Sequence, residues 1–139
     1  MSEKLSTEVV QQAVKRFWGT FQTKSEAALN SFYAPGSTVF QVGMGRTEPG
    51  RLGAMRRARE YLQAGTRLHL KLGAIDVFLL GSEAAVASYT FQFEAIGRDL
   101  GGGKRVDEKL ALVRATHVFV RDERGVLRIA HEHLSVPVA

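Results

Sequence analysis

The chain has 139 residues, a formal charge of +5 with histidine neutral, 45% hydrophobic and 24% charged residues, and no cysteine. That length suits one domain spanning residues 1–139, the composition excludes a disordered or fibrous chain, and the missing cysteine excludes disulfides, thiol nucleophiles and cysteine-based zinc or iron–sulfur centres. Val77-Phe-Leu-Leu80 is only four residues long, far short of the roughly 18–20 of a membrane span, and the polar, mixed-charge N-terminus does not read as a signal peptide, so a cytoplasmic protein without a membrane partner is expected.

Thr7-Glu8 opens the first element. Val10, Val14, Phe17, Trp18 and Phe21 recur at steps of three and four, which predicts a helix from Thr7 to Gln22. Ser25 caps a second helix, Glu26 to Tyr33, stopped by Pro35-Gly36. Thr38-Val-Phe-Gln-Val42 reads as a short strand. Glu48-Pro49 starts a third helix that Gly65 closes. From Arg67 onward the pattern is strand and turn. Leu68, Leu70 and Leu72 occupy even positions, Gly73 interrupts, and Ile75, Val77 and Leu79 resume on odd ones, the mark of a bulge or sharp bend. Ala85, Ala87, Tyr89, Phe91, Phe93 and Ala95 form one face of the next strand. Glu108–Val120 and Val126–Val136 are the last two, joined by the tight turn Asp122-Glu-Arg-Gly125. Helices followed by hairpin-linked strands predict an α+β fold, a curved antiparallel sheet wrapped as a cone around the N-terminal helices with an apolar hollow at its mouth.

The basic balance has two readings. Five arginines between Arg46 and Arg59 stand against Glu48, a local +4. No helix-turn-helix spacing, zinc ligand set or aromatic RNA-binding strand motif accompanies them, so nucleic acid is not the expected partner. A small apolar or anionic organic ligand is.

Three of the four histidines lie in the last two strands. His131 and His133 flank Glu132, and alternation turns both imidazoles to one face and Glu132 to the other. Two readings give the pair chemistry: metal binding with His117 or His69 as a third ligand, or an acid/base couple. A third is structural hydrogen bonding. No metal and no cofactor is assigned. The partners of these residues depend on register. A turn centred on Glu123-Arg124 sets Arg114 opposite His133, whereas a slip of one sets Phe119 opposite Ile129 and His117 opposite His131; the apolar tally favours the slipped register, with Arg114, Thr116, Arg128 and Glu132 on the polar face. Arg114, mid-strand between Val113 and Ala115, is either an anchor for a carboxylate or enolate or an ion-pair partner of Glu94 or Glu132. Trp18, Tyr33 and Tyr89 combine apolar bodies with polar tips, suited to a pocket wall or to the core. Gly101-Gly-Gly103-Lys104 lacks the P-loop pattern.

Arg114-Ala-Thr-His-Val-Phe119, the Asp122–Gly125 turn and Ile129-Ala-His-Glu-His-Leu-Ser135, together with Trp18 and Phe32-Tyr33-Ala-Pro35, resemble the SnoaL-like, ketosteroid isomerase-like group of the nuclear transport factor 2-like superfamily. The ending is also similar to that of the association domain of calcium/calmodulin-dependent kinase II. The resemblance implies a cystatin-like α+β cone, a homodimer through the outer sheet face, and a hydrophobic pocket. It departs where the isomerases carry an acidic base on the first strand, since Thr38–Val42 holds no carboxylate, and Leu127 replaces a usual tryptophan. Two functions follow as expectations. One is a small-molecule-binding protein, acting as a cofactor-independent acid/base isomerase, cyclase or dehydratase on an apolar carbonyl compound. Its pocket would be lined by Trp18, Tyr33, Tyr89, His117 and Phe119, with His131, His133 and Arg114 as the chemical groups. The other is a non-catalytic dimerisation or ligand-sensing module.

Overall fold

A computed structural model describes residues 4–23, 25–41, 55, 67–96 and 107–137, with 107–111 described in backbone only. Helix α1 spans Thr7–Gln22 as the spacing predicts. Ser6 caps it, its Oγ accepting the Val9 N–H at 3.2 Å, and it buries Val10, Ala13, Val14, Phe17, Trp18 and Phe21. Helix α2 is shorter than expected, Glu26–Asn30, with Ser25 Oγ accepting the Ala28 N–H at 3.3 Å. The chain then turns extended at once, so that β1 runs Tyr33–Phe40 rather than starting at Thr38. The third predicted helix, the arginines between 46 and 59 and the triple-glycine tip lie outside the described residues, apart from Met55, which is helical and buried.

The remaining strands are β2 (Arg67–Leu72), β3 (Asp76–Leu80), β4 (Ala84–Ile96), β5 (Asp107–Arg121) and β6 (Leu127–Ser135). Together with β1 they form one sheet in the order β1-β6-β5-β4-β2, with β3 also paired to β4. All pairs are antiparallel except β1 with β6. The parity change at Gly73 marks the break between β2 and β3. Its N–H donates to Thr90 O at 2.8 Å, and a Cβ there would stand 3.0 Å from Thr90 Oγ1 and 3.1 Å from Thr90 O. Only glycine lets the backbone come this close without a shift. Gln11 Nε2 donates to Ile75 O at 3.0 Å and so ties α1 to this break.

The sheet curves around α1. Its concave face presents Ala85, Ala87, Tyr89, Phe91, Phe93 and Ala95 from β4 and Val113, Ala115, His117 and Phe119 from β5, all buried. Phe17 sits at the centre, edge-on to Trp18, Phe32, Tyr33 and His117 at centroid distances of 4.9–5.8 Å.

The last hairpin corrects the expected register. Near the turn, Phe119 faces Ile129, as the slipped pairing predicts. Beyond it the register shifts by one: Val118 faces His131, His117 faces Glu132 and Thr116 faces His133. Ala130 is therefore the extra residue of a β-bulge, which reverses the faces of everything after it. Ile129 points in before the bulge, and Glu132 points in after it, wholly buried.

Candidate functional site

The inward turn of Glu132 completes a chain of hydrogen bonds through the core. Trp18 Nε1–H, on α1, donates to Tyr89 Oη of β4 at 2.6 Å. Tyr89 Oη lies 3.0 Å from His117 Nδ1 on β5, and His117 Nε2 lies 2.6 Å from Glu132 Oε2 on β6. Tyr33, from the start of β1, donates its hydroxyl to both Glu132 oxygens at 3.1 and 3.0 Å. Gln41 Nε2, just past β1, donates to Glu132 Oε1 at 2.6 Å. One hydrogen-bonded chain ending on the Glu132 carboxylate thus links five elements, α1, β1, β4, β5 and β6.

A buried carboxylate is tolerated only where donors replace water. Glu132 has three: a phenol, an amide and an imidazole N–H. His117 and Glu132 have no exposed surface, Tyr33 has 2%, Trp18 and Tyr89 have 5% each, and Gln41 is half-buried. Tyr89 is the far end of the Tyr89–His117–Glu132 chain, and both hydrogen bonds of its hydroxyl are buried. Burial is the main reason that both tyrosines hold their protons far above the ordinary range. For Tyr33 the adjacent Glu132 carboxylate adds to it; for Tyr89 the Trp18 hydrogen bond opposes it and the Glu132 charge adds. Neither becomes a phenolate, and both serve as neutral hydrogen-bonding groups.

Each residue singled out in the sequence has a definite place. Trp18, Tyr33, Tyr89, His117 and Phe119 come together on the concave side, with the His117 and Phe119 rings 5.7 Å apart. His131, His133 and Arg114 do not join them. The bulge turns the two histidines to the convex face, where His131 Nδ1 is 2.6 Å from Thr38 Oγ1 and both imidazoles flank the 60% exposed Phe40 at 5.7 and 5.8 Å. Arg114 alternates with inward Val113 and Ala115, so it is exposed on that convex face, between Thr90 and Ser135. An Arg114–Glu132 ion pair is ruled out by the sheet between them. For the same reason His117 cannot complete a metal site with His131 and His133, and among the described residues no three potential ligands gather.

Glu132 and Gln41 are the site residues that the sequence reading missed. The signal for Glu132 was present. Leu127 and Ile129 are inward on odd positions and Leu134 on an even one, the same parity break that betrays the bend at Gly73.

A helix-bearing, strongly curved sheet of this topology defines the cystatin-like α+β fold, the description given for similar structures from Novosphingobium aromaticivorans and Caulobacter vibrioides. The profile of the SnoaL-like domain matches residues 10–139, and the chain belongs to that family. The family takes in ligand-binding members as well as isomerases and dehydratases. No curated protein matches it in sequence. Among solved structures, it is similar to one from Xanthomonas campestris described as a calcium/calmodulin-dependent protein kinase II association domain. The two are 18% identical over 96% of this chain and 89% of the other, with a TM-score of 0.75. A candidate dehydratase of the nuclear transport factor 2-like family from Streptomyces avermitilis gives 21% identity over 95% and 96%, with a TM-score of 0.73. A protein from Catenulispora acidiphila, in complex with S-DNPA, gives 15% over 90% and 88%, at 0.65. At such identities the likeness is one of fold.

Proposed function

We propose that the chain, acting as one SnoaL-like domain, binds a small apolar carbonyl compound beside Tyr89 and moves a proton on it, as an isomerase, cyclase or dehydratase does. The observation that carries this reading is the continuous buried path from Tyr89 Oη through His117 to Glu132. A proton leaving the α-carbon of the ligand arrives on Tyr89 Oη while the hydroxyl proton of Tyr89 passes to His117 Nδ1. The imidazolium so formed is stabilised by Glu132, which Tyr33 and Gln41 hold in place. Because Tyr89 resists ionisation, arrival and departure belong to one movement and no phenolate is required. Trp18 fixes the orientation of the hydroxyl. No cofactor enters these steps. The dehydratase description of the Streptomyces structure and the small molecule held by the Catenulispora protein are in keeping with such a role.

The test is deuterium exchange at the α-carbon of 2-tetralone, followed by proton NMR in heavy water. Wild type should accelerate exchange over buffer. Tyr89→Phe and His117→Ala should each lose about 100-fold or more, the usual scale of acid/base catalysis. No acceleration, or variants as fast as wild type, would refute the proposal.

A specific observation supports the second reading, a dimerisation module. The convex face carries Phe40 and Phe78, 60% and 67% exposed; Phe78 faces Val86, Val86 faces Val118 and Val118 faces His131, while Phe40 stands opposite His133. We assign this band, together with His131, His133 and Arg114, to the contact of a homodimer. Sedimentation of wild type against Phe78→Lys tests it: the variant should be monomeric, and an unchanged assembly state would refute the assignment.

A further inference from the structure

The convex face is complementary to itself. Strand pairing lays two neighbouring rows across its middle, from β6 through β5 and β4 to β3. One reads His131, Val118, Val86, Phe78, and the next reads His133, Thr116, Ser88, Asp76. Adjacent strands are about 4.8 Å apart, so the line between β4 and β5 divides both rows evenly and leaves His133 and Asp76 about 7 Å to either side of it. His133 and Asp76 are both exposed. Beside His133 stand Phe40 on β1, Thr116 and, diagonally, Arg114 on β5, and His131 and Ser135 on its own strand. Asp76 faces Ser88 on β4 and adjoins Phe78 on its own face of β3. Within one copy the acid and the base are three strands apart and do not meet.

Two copies joined through the same patch are related by a two-fold axis, and each contact occurs twice. An axis along β5 sets Phe40 on the partner's Asp76 and His133 on the partner's Ser88. An axis along β4 sets Thr116 on the partner's Asp76 and leaves His133 beyond the partner's sheet. An axis between β4 and β5 sets Val118 on the partner's Val86, His131 on the partner's Phe78 and His133 on the partner's Asp76. Only the last matches aliphatic with aliphatic, ring with ring and base with acid. Stacked sheets lie about 10 Å apart, a gap that side chains from both sides fill.

We propose that two copies pack convex face on convex face about an axis between β4 and β5, with His133 of each closed on the partner's Asp76, so that the dimer tightens as this imidazole takes up a proton. The inference rests on the homodimer reading and adds its register and its response to pH. Histidine is the side chain whose charge ordinarily changes between about pH 5 and pH 8. Arg114, diagonal to His133, attracts the same carboxylate at every pH in that range, and His131 meets a ring rather than an acid; the charge on His133 is what varies.

Sedimentation equilibrium of the full chain at about pH 5.5 and about pH 8 tests it. The dimer should be about tenfold tighter at the lower pH, from about threefold for each of the two symmetric pairs. His133→Gln and Asp76→Asn should each remove that difference. Asp76→Lys should weaken the dimer, and His133→Glu added to the same chain should restore it without pH dependence, a rescue that no contact within one copy could give across three strands. A dimer that Phe78→Lys disperses but whose affinity ignores pH overturns the pairing and leaves the homodimer reading standing; so does a pH dependence that survives Asp76→Asn, or a charge exchange that fails to rescue. A wild type that is monomeric at both pH values, or an assembly that Phe78→Lys leaves intact, refutes the homodimer reading and the pairing with it.

Discussion

Replacing His117 by alanine removes the middle of the buried chain. The loss strands Glu132 Oε2, which held the imidazole at 2.6 Å, and the Tyr89 hydroxyl, which held it at 3.0 Å, both in a core closed to water. Deleting one member of a buried pair costs about 3–5 kcal/mol, because the group left behind has neither water nor partner. A domain of this size has about 5–15 kcal/mol in hand, so the variant should lose about a fifth of its stability or more, with a melting temperature lower by about 10–20 °C. Urea unfolding followed by tryptophan fluorescence reads this as a fall in midpoint at unchanged slope. Glu132→Ala should cost a similar amount. The double variant should cost less than the sum by at least about 1 kcal/mol, since each single variant already strands the other residue. Singles within 1 kcal/mol of wild type, combining additively, would show that the two side chains are not coupled and would remove the basis of the relay.

Other expectations are narrower. Gly19 lies inside α1 with nothing within 4 Å of where a Cβ would stand; Gly19→Ala should therefore stabilise by about 0.5–1 kcal/mol in the same urea assay. Gly73→Ala, whose Cβ would press on the Thr90 carbonyl, should destabilise by about 1–3 kcal/mol instead. Asp122 accepts the Val126 and Arg124 N–H groups and the Arg128 guanidinium, and the Val126 bond is the largest reason its carboxyl lies below the usual aspartate value. A folded-state value below the unfolded one contributes stability that is complete above about pH 3.9 and fades as the pH falls through the folded value. The stability gap between wild type and Asp122→Asn should accordingly be constant near neutrality and shrink in acid titrations; a gap that widens in acid would contradict the assignment.

Helix α1 was legible because a continuous apolar stripe, backed by a serine just before it, leaves one local solution. The inward face of β4 was legible for the same reason, six alternating apolar residues from Ala85 to Ala95. The start of β1 was not. Phe32-Tyr33 continues the stripe of α2, yet Tyr33 is drawn into extended structure, where its hydroxyl meets Glu132, a partner 99 residues away. Local pattern carries no information about such a contact. The aromatic half of the site could be read, since Trp18, Tyr89 and His117 sit on apolar faces. The acidic half could not, because alternation was carried straight through Ile129 to His133 without the extra residue at Ala130.

That extra residue has a consequence for any alteration of β6. Deleting Ala130 would restore strict alternation and rotate the strand end by half a turn: a carboxylate would leave the interior, imidazoles would enter it, and Phe40 would lose both of its neighbours. A length change of one residue in a strand would thus exchange the chemistry of the two sides of the sheet without altering any side chain that carries it.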